Sequence, residues 1–387
     1  MRSLGSVLAI LLVLLAEAVG LKVGFYSGLD AVQRLQATAL QSKTPRAKAG
    51  HPHRAIKGDA DFIKQMSHFR TKLYPDGPQL EAQLQQVIEQ DSPLIRNQES
   101  IVGWMPVECK VMGIHLDMSK AKVIQDTSNS VYRVPDRTTG QKYAYKLFGK
   151  STHYTAEVSF FMVAGNHPHI VRPICVQQER LVRPDKDDSD PPRIARGGLV
   201  MEWIEGSHSS NEVARDPKTS LTKLHQMSLQ LLGTLKYMHQ LGFVHGDLKP
   251  DNVLVRPNGQ LVLIDFGFAV PLPYSHPSRG NPRIKSPELK GLVKAPLDEA
   301  LDMWAYGCTL AIWYGYYYLP GHEGDKARKY TMLYNGSAWK VGRVPKEFPV
   351  ELRQVLYLLT SLRPEMRRFQ HSATLQFLTS LPFFAQQ

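Results

Sequence analysis

Two short stretches constrain this chain more than anything else in it. They are Val244-His245-Gly246-Asp247-Leu248-Lys249-Pro250-Asp251-Asn252 and Val262-Leu263-Ile264-Asp265-Phe266-Gly267. Each carries an aspartate out of an apolar run. Phosphoryl transfer asks for little covalent help from a protein; it needs metal ions on the phosphates, a carboxylate beside the attacking hydroxyl and cations on the migrating charge. Asp247 suits the carboxylate, and Lys249 can steady a γ-phosphate. Asn252 and Asp265 offer the hard oxygen ligands that magnesium prefers. Isolated aspartates are mostly turn or capping residues. A run of matching positions in the right order and spacing is not explained that way.

The surrounding pattern is strands first, helices after. Residues 121–134 and 141–148 read as a hairpin joined by a turn at Asp136-Arg137-Thr138-Thr139-Gly140. A short helix over 155–164 follows, then strands near 170–177 and 198–204, separated by a proline- and aspartate-rich surface loop over 183–197. After Asn211 helices dominate, with 221–241 the longest periodic segment. This order predicts two lobes of an α+β protein rather than alternating βαβ units.

With these elements in place, the chain resembles the eukaryotic-type protein kinase family over roughly residues 122 to 384. HGDLKPDN is similar to the catalytic loop and DFG to the metal loop. Tyr143-Ala144-Tyr145-Lys146 resembles the VAIK strand, which implies that Lys146 grips the α- and β-phosphates of ATP with Glu157 as its ion-pair partner. Met201-Glu202-Trp203-Ile204-Glu205-Gly206 resembles the hinge. There the backbone at Glu202 and Ile204 would bind adenine behind a Met201 gatekeeper, with Val131 and Ala144 lining the nucleotide site. Gly280-Asn281-Pro282 and Ser286-Pro287-Glu288 resemble the end of an activation segment, and Asp302-Met303-Trp304-Ala305-Tyr306-Gly307 the DxWxxG helix. Arg367 is placed to pair with Glu288. The resemblance implies a bilobal fold, with a small β-rich N-lobe and a larger helical C-lobe. It also implies ATP and Mg2+ as cofactors and a protein substrate. The lysine of DLKPDN points to serine or threonine as the acceptor.

The chain departs from that pattern in three places. Gln125-Asp126-Thr127-Ser128-Asn129-Ser130-Val131 occupies the phosphate-loop position without a glycine, although glycines let backbone approach phosphates closely. Small polar residues still favour tight turns, but the Asp126 carboxylate would repel phosphate. Gly246 stands where an arginine usually pairs with a phosphorylated loop, so that loop is expected to order without phosphorylation; Tyr274, Ser275 and Ser278 in it read as surface residues. The interval from Lys146 to Glu157 is short, as if the helix carrying Glu157 lacked its first turns.

Outside the kinase-like region, Arg2 and the apolar run Val7 to Leu15 precede Ala16-Glu17-Ala18, the layout of a secretory signal peptide over residues 1–20. The run is too short for a typical membrane span; left uncleaved it would anchor the chain. The expected destination is the secretory pathway, where Asn335-Gly336-Ser337 is a glycosylation sequon. Residues 21–58 form a basic linker, and 59–121 a helical extension with helices expected at 59–73 and 78–90. Leader, basic extension and degenerate glycine loop together resemble, in architecture alone, the secreted rhoptry kinases of apicomplexan parasites. A net charge of +12 fits a solvated basic surface, an acidic partner or an anionic membrane surface. No nucleic-acid motif is present, so nucleic acid is not expected as a partner, and a monomer is expected. Cys109, Cys175 and Cys308 read best as buried small hydrophobes, with a single bridge as the alternative.

Two other classes of function compete with an active kinase. A pseudokinase that binds partners is favoured by the missing glycines and disfavoured by the complete charged set. A small-molecule phosphotransferase would share HGDL but not the SPE, DxWxxG and Arg367 features.

Overall fold

The computed structural model describes residues 77–90, 103–126, 129–178, 197–272, 284, 286–289, 295–318, 347–369 and 372–385. The leader, the basic linker, the helix expected over 59–73, the loop over 183–196, the sequon at Asn335 and loop residues Tyr274, Ser275 and Ser278 lie outside them. The described residues form the expected bilobal α+β arrangement.

The small lobe is an antiparallel sheet built from β1 (Lys122–Asp126), β2 (Asn129–Pro135), β3 (Lys142–Phe148), β4 (Pro173–Gln178) and β5 (Gly197–Glu202), in the order β1-β2-β3-β5-β4. The expected single strand over 121–134 is two strands. The chain reverses after Asp126, and β1 pairs back on β2 with Asp126 opposite Ser130, whose hydroxyl donates to the Asp126 carboxylate at 2.8 Å. The turn at Asp136–Gly140 forms as expected: the Asp136 carboxylate accepts from the Thr138 and Thr139 backbone N–H groups at 3.0 and 2.8 Å.

Strand alternation gives the sheet two faces. Ala144, Lys146 and Phe148 face the other lobe, while Tyr143, Tyr145 and Leu147 face away. The outward face carries its own cluster of Cys109, Leu116, Val134, Tyr145, Cys175 and Val200. Gly198 leaves space for the Tyr145 ring, which a Cβ there would meet at 2.2 Å.

Residues 103–121 cover this face as a strap, which corrects the expectation of a helical extension reaching to 121. Their one helical turn is the 3-10 turn Met118–Lys120. Elsewhere the strap spends its backbone groups on the sheet. Cys109 N donates to Val176 O at 3.0 Å and Val176 N to Val107 O at 2.9 Å, so the open edge of β4 is capped. Cys109 and Cys175 form a disulfide across 66 residues of sequence. This overturns the reading of three buried small hydrophobes; Cys308 alone is a buried free thiol. No sequence pattern brings two cysteines so far apart together, because the strap's path along β4 is a tertiary feature.

In the large lobe, α1 (Gly77–Gln90) is the helix expected over 78–90. It buries Leu80 and Leu84. After it in the chain come helix α2 (Ser151–Ala164) of the small lobe, then α3 (Ser210–Arg215), α4 (Leu221–Gln240), α5 (Ala300–Tyr318), α6 (Val350–Leu359), α7 (Ser372–Ser380) and α8 (Pro382–Ala385). Helix α1 packs on α6 and α7, and Arg363 Nη2 donates to Gln85 Oε1 at 3.2 Å. Leu224, Met227, Leu231, Leu235 and Met238 form the buried stripe of α4. Helix α5 is buried on nearly every side, so it is the interior post of the lobe. Among the described residues no helix is long and apolar enough to cross a membrane.

Candidate active site

The loop from His245 to Asn252 leaves the short strand β6 (Phe243–Val244), which pairs with β9 (Val270–Pro271). It returns into β7 (Val253–Val255), which pairs with β8 (Leu261–Leu263). Two apolar runs thus bury as small sheets and leave their polar ends in one place. Asp302, in the first turn of α5, holds the loop from below. Its carboxylate accepts His245 N at 2.7 Å and Gly246 N at 3.0 Å, and meets His239 Nε2 at 3.0 Å. Burial alone would raise the Asp302 carboxyl, but the bond and charge of His239 hold it below the ordinary range.

Asp247 N donates to His245 Nδ1 at 3.3 Å, and His245 Nε2 lies 3.3 Å from Ile264 O; one neutral tautomer satisfies both. Asp247 Oδ2 accepts from Lys249 Nζ at 2.8 Å and from Asn252 Nδ2 at 3.3 Å. Asn252 Nδ2 also donates to Asp247 O at 2.8 Å, and Ile264 N donates to Asn252 O at 2.9 Å. The second contact ties the two motif loops together.

Gly246 has a structural reason to be glycine that the sequence did not reveal. Its φ is +75, and an added Cβ would lie 2.7 Å from Phe268 O. A Gly246→Ala protein is expected to lose about 1–2 kcal/mol from the left-handed backbone alone. Displacing Phe268 adds to that cost. Chemical denaturation of the variant checks this; an unchanged midpoint and slope would show that the loop tolerates a side chain here.

Above the loop, Lys146 Nζ sits 2.5 Å from Glu157 Oε2 and 2.7 Å from Asp265 Oδ1. The short interval between Lys146 and Glu157 is absorbed because β3 ends at Phe148 and α2 begins at Ser151. Burial would lower the Lys146 pKa, but the charges of Glu157 and Asp265 raise it, so the group stays an ammonium. Burial pushes Glu157 up to about 7 against the pull of Lys146. Burial also works to raise Asp265, and Lys146 outweighs it, bringing that carboxyl down to about 2. Asp265 is the single non-glycine residue with positive φ among the described residues, at 64°. Such strain persists where the surroundings over-determine it. Here Phe266 does so, stacked 4.3 Å from Phe160 with its other neighbours Phe161 and His245.

Strand register brings the remaining candidates to the same cleft. Directly opposite residues in an antiparallel pair share a face. Val131 lies opposite Lys146, and Met201 opposite Ala144. Val131, Ala144, Lys146 and Met201 therefore line one side of the sheet. Beyond β5, the Glu202 side chain is held by Arg256 Nη2, 3.0 Å from each carboxylate oxygen, and Trp203 Nε1 donates to Glu205 at 2.9 Å. Ile204 is buried. The hinge is thus fixed by one contact within itself and one from Arg256.

Asp265 and Asn252 are the site's candidate magnesium ligands. With Asn252 Nδ2 committed to Asp247, its amide oxygen is the atom left to meet a cation. Among the described residues no three His, Cys, Asp or Glu side chains gather as a metal cage. The donor set fits an ion that takes its other ligands from phosphate oxygens and water, as magnesium does.

Two residues of the site escaped the sequence reading. Asn129, in the glycine-free loop, is 7% exposed, and His153, one helical turn before Glu157, is 6% exposed. The i, i+4 spacing of His153 and Glu157 was the available signal. For Asn129 there was none, because a polar residue in a turn is ordinarily solvated.

Comparison with known proteins gives a consistent result. A family model described as a protein kinase domain matches residues 122–374. CBL-interacting serine/threonine-protein kinase 19 of Arabidopsis thaliana is 26% identical over 256 residues, covering 62% of this chain and 48% of that protein. Sperm motility kinase 2B of Mus musculus is 27% identical over 239 residues, covering 60% and 45%. Putative cyclin-dependent kinase F-2 of Oryza sativa subsp. japonica is 29% identical over 209 residues, covering 49% and 59%. The chain spans about half the length of the curated relatives it matches.

Proposed function

Because this chain belongs to the eukaryotic-type protein kinase family, we propose that it transfers the γ-phosphate of ATP to a serine or threonine hydroxyl of a protein. The observation that carries this reading is the position of Lys146, within 2.7 Å of both the helix carboxylate Glu157 and the metal-loop carboxylate Asp265. A lysine held between the two lobes is ready for phosphate oxygens without rearrangement.

In this reading Lys146 holds the α- and β-phosphates, and Glu157 orients its ammonium. The backbone at Glu202 and Ile204 receives adenine, with Val131, Ala144 and Met201 enclosing the ring. Asn252 and Asp265 would hold magnesium, which would offset the negative charge of the phosphates during transfer. Asp247 lies where it can accept the proton of the acceptor hydroxyl, and Lys249 reaches the same carboxylate to steady the transferring phosphoryl charge.

A pseudokinase is the second reading, and one observation favours it: the phosphate loop carries no glycine. Incubation of the chain with labelled ATP, magnesium and a generic basic protein decides between them. Label on serine or threonine, lost on magnesium chelation and in Asp265→Ala, is the expected result. ATP binding with no transfer to any acceptor would transfer the assignment to the pseudokinase.

The proposal places the protein in the secretory pathway, in a secreted or luminal state. The leader and the Cys109–Cys175 bond both favour an oxidising compartment, since disulfides in cytosolic proteins of mesophiles are rare. A membrane-anchored form through an uncleaved leader is the alternative.

A further inference from the structure

We propose that Asn129 is a positioning residue that replaces the missing glycines, pinning the phosphate loop to the helix that carries Glu157. The inference rests on the nucleotide-binding part of the reading above. Asn129 opens β2, immediately after the turn that follows β1. Its Oδ1 accepts Gly149 N at 3.3 Å, and its Nδ2 lies 3.5 Å from His153 Nδ1. Gly149 ends the run from β3, and His153 lies in the first turn of α2, so one amide side chain clasps the start of the helix from the loop side.

The contact continues downward. The His153 ring lies 4.7 Å from the Phe268 ring, just past the metal loop, and a Cβ added at Gly267 would meet His153 Cβ at 3.4 Å, an ordinary contact distance. Phe268 O in turn fills the space that Gly246 leaves open beside Asp247. A column of contacts therefore runs from the phosphate loop through Asn129, His153 and Phe268 to the catalytic loop. A glycine-rich loop approaches phosphates by having no side chains to obstruct it. This loop instead turns one side chain inward, where it is buried, and uses it as a fixed anchor. The start of β2 is thereby held beside α2, and less ordering is left for nucleotide to impose.

The assignment fits the polarity of each partner. The amide of Asn129 offers one acceptor and one donor group, and the helix start presents a backbone N–H and a ring nitrogen. An apolar residue at 129 would leave the Gly149 N–H without this acceptor. Aspartate would keep the acceptor but add a charge next to phosphate.

Full-length Asn129→Ala is compared with the parent protein in Mg-ATP binding, in steady-state transfer and, without nucleotide, in hydrogen exchange of the Gly149 amide. The expected result is a Kd and KM for ATP raised roughly tenfold, the size that follows from losing one part-buried hydrogen bond and one long buried contact. The change in kcat stays within about threefold, because the groups at Asp247 are untouched. Gly149 exchanges faster in the variant. His153→Gln, which keeps an acceptor within reach of Nδ2, retains most of the affinity; His153→Leu behaves like Asn129→Ala and serves if the latter fails to fold. Unchanged affinity in both disruptive variants, or a fall in kcat with KM constant, overturns the proposal. Binding that weakens as expected in a protein that transfers no phosphate supports the anchor and removes the kinase activity. A parent protein that binds no Mg-ATP overturns both.

Discussion

Replacing Asp247 by asparagine lowers kcat for phosphate transfer by roughly 10²–10⁴-fold, the range for loss of a positioned general base. The KM for ATP stays within about threefold, since the substitution removes an interaction made with the acceptor rather than with the nucleotide. Asparagine is the informative choice because its Oδ1 can still accept from Lys249 Nζ and Asn252 Nδ2, which lie 2.8 and 3.3 Å from the carboxylate. The loop keeps its shape while the proton acceptor is lost. Steady-state rates at saturating ATP, alongside direct ATP binding, separate the two effects. An unchanged kcat would remove Asp247 from the chemistry, and a kcat loss matched by lost binding would make its role structural.

The largest stability effect is expected at Arg367. Its guanidinium is fully buried and makes a two-pronged pair with Glu288, Nη1 to Oε1 at 3.0 Å and Nη2 to Oε2 at 2.7 Å. Nε donates to Ser361 O at 2.8 Å, Nη1 also reaches Ala300 O, and the group lies 5.3 Å from the Trp304 ring centroid. One side chain thus joins the segment after the activation loop, the start of α5 and the turn at Ser361. Arg367→Ala strands the Glu288 carboxylate in the interior, at a cost of roughly 3–5 kcal/mol. That is a large share of the stability of a typical domain. Arg367→Lys recovers only part, because an ammonium cannot reproduce the planar fork. Urea unfolding of the two variants measures this. A loss below about 1 kcal/mol for alanine, the level of a surface ion pair, would mean the pair contributes little to the fold.

Much of the site was legible in the chain. Asp247, Lys249, Asn252 and Asp265 were named from the two motif stretches, and Lys146, Glu157, Glu288 and Arg367 from the resemblance to protein kinases; the structure pairs Lys146 with Glu157 and Arg367 with Glu288, and it gathers the first four around Lys146 and the Asp247 loop. The reason is that short apolar strands at fixed intervals leave few ways to present their polar ends. Val131, Ala144 and Met201 were named from the resemblance as well, and strand pairing puts them on one face.

What escaped the reading has a common cause. The strand pattern over 121–134 hid the reversal after Asp126, which only the resemblance placed at 125–131, since a turn of small polar residues without glycine or proline carries a weak signal. The strap over 103–121 has little helical or strand pattern of its own; it is ordered by β4, whose open edge accepts its backbone. The Cys109–Cys175 bond depends on that path. Asn129 carried no signal of its own and is buried, because its partners, Gly149 before α2 and His153 in its first turn, lie 20 and 24 residues later in the chain.

The sequence by itself determined the two lobes, through local periodicity, and the charged residues of the cleft, through two short motifs and the resemblance to protein kinases that they open. Only the tertiary structure decided how a loop without glycines is held, why residue 246 has no side chain, and which cysteines meet. Each of those is an approach between segments distant in sequence, and close packing decides it: Phe268 O fills the space beside Gly246, and the start of α2 meets Asn129.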